Sequence, residues 1–403
     1  MSSTDRTDRL RILIGCDTFA PDVNGAARFS ERLAAGLVAR GHEVFIVAPG
    51  LRYRRVPPAI ETIEGQPMTV YRLPSLRWLP HDWLRFVWPW RSKYYARRVL
   101  GAVRPDVVHI QSHIVIGRGL ARIARQRKIP IIATNHVMAE NILDFTVMPP
   151  FIDKLVFKLA WDDAERTFKM ARAVTTPTRR AADFLERTVD ISGVVPISCG
   201  IDASNYRPDP SPRDQSRLLF VGRLTSEKRV DVTLKAMARV LAEHHPEPGS
   251  PLDMRFDIVG GGDQRKQLEQ LVERLGLQDR VTFHGRVEDA QLVEFYRRAS
   301  VFVIASVAEL QSIATLEAMA SGLPVIAANA VALPHLVHDG ENGYLFEPDN
   351  EHELAARIHD VLSAPHEEWL RMQQASLHGV EIHDINRTLD TFEALYRGDA
   401  LPA

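Results

Sequence analysis

Arg217-Leu218-Leu219-Phe220-Val221-Gly222-Arg223-Leu224-Thr225-Ser226-Glu227-Lys228-Arg229 opens the second half of this 403-residue chain. Arg217–Gly222 is a short apolar run fit for a buried parallel strand. Arg223 and Lys228 follow it, ahead of a helical pattern over Val230–Ala242. In an open α/β sheet, ligands bind beyond the carboxyl ends of strands. Two cations placed there suit a phosphate, Arg as a planar fork and Lys as a point charge. A solvated basic turn is the ordinary explanation of such a pair, so the assignment needs support from elsewhere in the chain.

Further strands are expected at Met254–Val259, Val281–His284, Val301–Ile304 and Pro324–Ala328. The first half follows the same grammar. Leu10–Gly15 reads as a strand, and Ala26–Arg40 as a helix with Phe29, Leu33 and Leu37 on one face and Gly41 at its C-cap. Strands follow at Glu43–Ala48, Asp106–Gln111, Ile129–Thr134 and Arg172–Thr176. Such alternation implies parallel sheets covered by helices, the α/β class. The break falls at Gly200–Arg213, where Pro208, Pro210 and Pro212 alternate with other residues, and Trp369–Arg397 reads as helix without strand partners. The expected domains are 1–200, 201–380 and a C-terminal helix, 381–403, packing back towards the first. Two doubly wound domains facing each other across a cleft is the architecture this implies.

The length fits two domains. A hydrophobic fraction of 45%, with 25% charged, is ordinary for a globular protein, and a net charge of −1 gives no electrostatic case for nucleic acid. Two cysteines, Cys16 and Cys199, form no disulfide framework and suit a reducing compartment, with Cys16 expected as a core hydrophobe. No apolar stretch is long enough to span a bilayer, and Met1–Arg9 has no apolar segment of the signal-peptide kind. The expected location is the cytoplasm, or the inner face of the cell membrane as a peripheral protein.

The support for a phosphate lies at Ala308-Glu309-Leu310-Gln311-Ser312-Ile313-Ala314-Thr315-Leu316-Glu317-Ala318-Met319. Glu309 precedes an expected helix, Ser312 is an N-cap, and Glu317 falls one turn inside. A helix N-terminus flanked by carboxylates matches hydroxyls, diphosphate and hydroxyls in line, the shape of a nucleotide-sugar. Two glutamates around a helix start are commonplace, and they become informative here because Arg223 and Lys228 exist. The first half places Asn24-Gly25 between its first strand and helix, where a backbone can approach a pyrophosphate; without G-x-G-x-x-G it does not support a nicotinamide or flavin site.

With these motifs in place, the chain resembles the retaining nucleotide-sugar glycosyltransferases of family 4, which have the two-domain GT-B fold, and among them bacterial lipid hexosyltransferases. The resemblance covers nearly the whole length. It rests on Asn24-Gly25, Gly222-Arg223-Leu224 with Lys228, Gly260-Gly261-Gly262-Asp263, His284-Gly285-Arg286-Val287, Glu309 with Glu317, and Gly340-Glu341-Asn342-Gly343. It implies that Gly25 approaches the donor phosphates and that Arg223 and Lys228 hold the diphosphate leaving group. Glu309 would hold sugar hydroxyls beside the amides of Gln311, Ser312 and Ile313, and Glu317 the ribose. The backbone around Arg286 and Val287 would read the base, and His136 matches the family's histidine near the reacting centre. Family members commonly have Pro-Phe-Gly after the first glutamate; Leu310-Gln311-Ser312 stands here, which leaves the sugar open. The resemblance implies a UDP- or GDP-hexose donor, no cofactor and no metal.

On the acceptor side, His113 is a candidate because loops at strand ends line clefts, and Asn24 is another, while His109 is expected to be structural. Residues 76–98 hold four of the six tryptophans, Trp78, Trp83, Trp88 and Trp90, interleaved with Arg and Lys. That composition suits an anionic membrane surface, and equally a packed core with a solvated face; Pro80 and Pro89 exclude one continuous amphipathic helix. Phe145–Leu159 is a second apolar candidate. The acceptor expected is a lipid, such as diacylglycerol or phosphatidylinositol, or else a soluble sugar, sugar phosphate or small metabolite. A sugar-nucleotide epimerase, a phosphorylase and a non-catalytic nucleotide-sugar binding protein are the other classes weighed.

Overall fold

The computed structural model describes residues 9–22, 24–78, 81–136, 150–213 and 215–401. They form two compact units, Met1–Cys199 together with Asn386–Ala403, and Gly200–Ile385.

The first unit contains β1 (Arg11–Gly15), β2 (Glu43–Pro49), β3 (Ala59–Ile63), β4 (Gln66–Leu73), β5 (Ser75–Trp78), β6 (His81–Val87), β7 (Val107–Ile110), β8 (Ile131–Thr134), β9 (Ala173–Thr176) and β10 (Val195–Pro196). Eight of these make one sheet in the order β10-β9-β8-β7-β1-β2-β4-β3, parallel except where β3 meets β4. β5 and β6 pair separately as an antiparallel ribbon. The central strands are apolar on both faces because helices cover both; Ile12, Leu13 and Ile14 are wholly buried. Asn24 caps the helix Gly25–Ala39, its Oδ1 accepting from the Ala27 amide at 2.9 Å, and Gly41 at φ +92° ends the turn that follows. From Asn386 onward the last helix, Ile385–Arg397, packs on this unit. Leu389 fills the space beside Gly36, and Arg40 pairs with Asp390 at 2.5 Å and Glu393 at 3.3 Å.

The second unit contains β11 (Arg217–Val221), β12 (Arg255–Val259), β13 (Val281–Gly285), β14 (Val301–Ile304), β15 (Val325–Ala328) and β16 (Gly343–Phe346). The sheet runs β13-β12-β11-β14-β15-β16 and is parallel throughout. Counted from β11, that is the 3-2-1-4-5-6 order of a doubly wound domain. The winding reverses between β11 and β14, which is where such sheets bind ligands. The C-terminal segment is helical as expected, except that Asp384 makes a single bridge to Ile201.

Candidate functional site

The second unit brings its marked residues to one edge. Arg223 and Lys228 follow β11, Glu309 follows β14, the glycine run Gly260–Gly262 follows β12, and Arg286 and Val287 follow β13. These are the carboxyl ends of four adjacent strands. Lys228 and Glu309, 81 residues apart, form a short ion pair between Nζ and Oε1, both side chains largely buried. The Val307 amide donates to the Glu227 carbonyl at 3.0 Å, tying the loop after β14 to the turn Ser226–Lys228. Glu227 lies 3.9 Å from the Arg223 guanidinium. Burial pulls the Arg223 pKa down, against the opposing pull of Glu227, Glu309 and Asp263. A cation held partly out of water is costly to leave without an anionic partner, and an anionic ligand here would compete with these carboxylates for it.

The glycines have a steric cause. Gly260 has φ +128°, and a Cβ there would stand 1.9 Å from the Gly222 carbonyl oxygen. A Cβ on Gly262 would stand 2.3 Å from that of Leu224. The loop after β12 thus lies directly on the backbone that carries Arg223, and the Leu224 amide donates to the Gly261 carbonyl at 2.9 Å.

Ser312 caps the helix Ile313–Ala320, its Oγ accepting from the Thr315 amide at 3.3 Å. Glu317 sits inside that helix and is buried. Its Oε2 accepts from the Tyr296 hydroxyl at 3.0 Å, a partner from the helix Asp289–Arg298. Gln311 is buried, with its amide nitrogen 3.5 Å from Nδ1 of His383, whose pKa burial lowers to about 4. Arg286 is exposed and Val287 packs against the core of the unit.

In the first unit His136 follows β8. Its Nε2 donates to Gln111 Oε1 at 2.9 Å, which leaves Nδ1 as the acceptor of a neutral ring. The ring lies 5.0 Å from that of Phe29, and burial pushes its pKa down to about 4. His109 is wholly buried between the Tyr396 hydroxyl and Thr134 Oγ1, both at 2.7 Å, a structural position. His113 is buried as well, its ring packed against Trp161 and Phe168, and burial lowers its pKa to about 4. The structure therefore places His113 in the core rather than at an open edge, because the helix Pro150–Phe168 covers it. Gly25 is exposed at the first turn of its helix, and the Asn24 side chain is engaged as the cap.

Two family models match the chain: Glycosyltransferase Family 4 over residues 23–205, and Glycosyl transferases group 1 over residues 204–377. Together they cover residues 23–377, the first lying almost wholly on the first unit and the second on the second. The chain is a family-4 glycosyltransferase. Alpha-monoglucosyldiacylglycerol synthase of Streptococcus pneumoniae is 27% identical over 375 residues, covering 88% of this chain and 79% of that protein. D-inositol 3-phosphate glycosyltransferase of Acidothermus cellulolyticus is 29% identical over 408 residues, covering 94% and 86%. Among solved structures, sucrose-phosphate synthase from Thermosynechococcus elongatus superposes with a TM-score of 0.77 at 20% identity, over 96% of this chain and 98% of that one. The fold is GT-B, as expected from the sequence.

The glycosyltransferase also contains site features that sequence reading missed. Tyr296 looks like an ordinary core aromatic, and nothing local marks its bond to Glu317. Asp17 does have a signal, since it stands two residues after the end of β1. Its carboxylate accepts from the amides of Val115 at 3.2 Å and Ile116 at 2.9 Å, and from Ser112 Oγ, so the chain's own anion fills the start of the helix Ile116–Gln126. In the Trp-rich stretch, Trp90 is exposed and stacks on Trp88 at 4.4 Å, whereas the side chains of Trp78 and Trp83 lie outside the described residues, as does most of Phe145–Leu159. No helix among the described residues is long and apolar enough to cross a membrane. Cys16 is a buried thiol whose pKa burial raises to about 12, a core position.

Proposed function

We propose that this glycosyltransferase moves a hexose, glucose or mannose, from a UDP- or GDP-sugar to a membrane lipid such as diacylglycerol or phosphatidylinositol, with retention at the anomeric carbon. The observation that carries the donor half is the meeting of Lys228 with Glu309 at the β11/β14 reversal, with Arg223 half-buried beside them. Breaking the anomeric C–O bond leaves negative charge on the diphosphate and positive character on the sugar. Arg223 and Lys228 stabilise the leaving charge as fixed cations that need no reorganisation. Glu309 exchanges its Lys228 contact for sugar hydroxyls as the diphosphate takes up the cation. Glu317 accepts from the ribose, and the backbone at Arg286 and Val287 reads the base. Retention follows from attack on the face the diphosphate leaves, the departing phosphate taking the acceptor's proton.

The lipid half is supported by the glucosyldiacylglycerol-forming relative and by the exposed aromatic Trp90 amid Arg and Lys, at the inner face of the membrane. A soluble acceptor is the second reading, favoured by the inositol 3-phosphate relative, which matches more of the chain. The test is a screen of UDP- and GDP-hexoses for transfer and for hydrolysis, with and without lipid vesicles, using Arg223→Ala as the inactive control. Turnover raised by vesicles and lowered by Trp88→Ala/Trp90→Ala supports the lipid. Turnover indifferent to vesicles, with a soluble acceptor consumed, moves the assignment to the second reading. Neither donor being turned over nor bound refutes both.

A further inference from the structure

The first unit has a crevice of about 520 Å³ lined by Pro21, Gly50, Arg52, Arg54, Glu61 and Arg72 among others. Pro21 belongs to the loop after β1 and Gly50 to the loop after β2, so the crevice opens at the carboxyl ends of these strands, on the β1-β2-β4-β3 side of the sheet. That is the ligand-binding edge of a doubly wound sheet. Its walls carry three guanidinium groups. Arg72 is committed to Glu61 in a two-point pair, at 3.0 and 2.6 Å. Arg52 and Arg54 are exposed and make no ion pair or hydrogen bond with any described residue.

The base of their loop is fixed. Arg85 donates to the Leu51 carbonyl at 2.9 Å, Ser75 Oγ donates to that of Gly50, and a Cβ on Gly50 would stand 2.9 Å from the Leu73 oxygen. Two unpaired cations therefore hang from an anchored root over a concave surface. Leu51 and Val56, about half exposed at 54% and 40%, supply its apolar part. One anion position of this sheet, the start of the helix Ile116–Gln126 after β7, is closed by Asp17. Within the crevice an anion would meet side-chain cations, and Arg52 and Arg54 are the ones lining it that are not committed to a carboxylate. The opposing carboxylates are Glu61, already paired, and Asp22, whose charge Arg85 and Arg72 face.

We propose that this crevice is the acceptor site and takes an acceptor bearing a phosphate ester, with Arg52 and Arg54 meeting the phosphate and Leu51 and Val56 the body of the molecule. The inference rests on the proposed function, in which the donor is held by the second unit and the acceptor is left to the first. The phosphate can belong to a lipid headgroup or to a soluble polyol phosphate. Equilibrium binding to the full-length protein separates the two. One arm compares D-inositol 3-phosphate with inositol; the other compares phosphatidylcholine vesicles with and without phosphatidylinositol.

In the arm that matches the acceptor, D-inositol 3-phosphate should bind more tightly than inositol, or vesicles with phosphatidylinositol, whose phosphodiester is not neutralised by a choline cation, more tightly than those without it. Arg52→Ala/Arg54→Ala should weaken it by about tenfold or more, as expected for loss of charged hydrogen bonds, and Arg52→Glu/Arg54→Glu should remove it. Binding of UDP or GDP, read on the same samples, should be unchanged in these variants. Preference confined to D-inositol 3-phosphate assigns a soluble acceptor, and preference confined to the phosphatidylinositol vesicles a lipid. If neither probe is preferred, or the arginine variants bind like the wild type, the proposal is overturned while intact nucleotide binding leaves the donor reading standing. Loss of nucleotide binding by the wild-type protein would overturn that reading instead.

Discussion

Tyr296→Phe removes one oxygen atom from the middle of the second unit and tests whether Glu317 serves the ribose. Tyr296 is wholly buried, with the rings of Tyr206 and Phe302 each 6.1 Å away, and phenylalanine fills the same space without a cavity. What is lost is the hydroxyl that donates to Glu317 Oε2 at 3.0 Å. A hydrogen bond to a charged group contributes about 1.5–3 kcal/mol, roughly 10- to 100-fold if fully expressed in binding. Only the part that fixes the carboxylate for its ligand reaches the nucleotide, so about tenfold weaker binding of UDP or GDP is expected. Calorimetric titration should be run with each nucleoside diphosphate and its 2′-deoxy counterpart. The loss should be large for the ribose form and small for the deoxyribose form, because the missing hydroxyl already removes the interaction. Glu317→Ala should show the same pattern more strongly, and Tyr296→Phe added to it should cost little more, since both act through one contact. Glu309→Ala, by contrast, should lower turnover while leaving nucleoside diphosphate binding nearly intact. Equal losses for ribose and deoxyribose forms in Tyr296→Phe, with folding intact, would show a purely structural tyrosine and sink the ribose assignment. A larger loss of UDP or GDP affinity in Glu309→Ala than in Glu317→Ala would reverse the two roles.

Other expectations rest on charge. Arg223→Ala and Lys228→Ala should each reduce turnover on the order of 10²-fold, and Arg223→Lys should recover little because a point charge does not replace the fork; near-normal turnover of both alanine variants would remove the phosphate assignment. Activity should persist in excess chelator, since Arg223 and Lys228 supply the counter-charge; abolition by chelator and recovery with Mg²⁺ or Mn²⁺ would contradict this. Burial raises the Glu31 pKa to about 7 from an ordinary 4.5, so the folded state holds a proton that the unfolded chain releases, and stability is lost as pH rises from about 4.5 to about 7. Glu31→Gln should therefore stabilise by about 3 kcal/mol above pH 7 and hardly at all below pH 4.5, measured by denaturant unfolding; a pH-independent effect would refute it. The buried His109, His113 and His136 work in the opposite sense, costing stability as pH falls below about 6.5, so the variant is best compared with wild type at each pH.

The parts of the fold that were legible in sequence are those buried on both faces. Val301–Ile304 is four apolar residues, each almost wholly buried, and its strand was readable to the residue. β3 to β6 were not readable, because their setting is different. β3 is the sheet's outer strand and mostly exposed, β4 carries Pro67 and polar residues, and β5–β6 sit in the tryptophan- and arginine-rich stretch. β16 is only four residues long and directly follows a glycine-rich turn. At the candidate site, Arg223, Lys228 and Glu309 were legible because strand-end position and residue chemistry are local properties. His113 was not, since what decides its surroundings is Trp161 and Phe168, two rings about fifty residues away in sequence. Tyr296 was hidden for the same reason, 21 residues from the carboxylate it serves.

The two units use one architecture in opposite ways, and the difference is electrostatic. Each has a reversal of winding next to its first strand, with a helix starting beyond the neighbouring strand. In the first unit that helix start is neutralised by the chain itself, since Asp17 spans the amides of Val115 and Ile116. In the second, the cap is the neutral hydroxyl of Ser312, and the loop facing it brings Lys228 and the half-buried Arg223. A diphosphate approaching the first reversal meets a carboxylate; approaching the second, it meets a helix dipole and two cations whose main countercharge, Glu309, is itself suited to sugar hydroxyls. On the proposed reading, the donor's charge goes to the unit whose helix start beyond the reversal is left open to an anion. On the same reading, an anionic acceptor, excluded from the corresponding place in the first unit, would be met by Arg52 and Arg54 at the crevice.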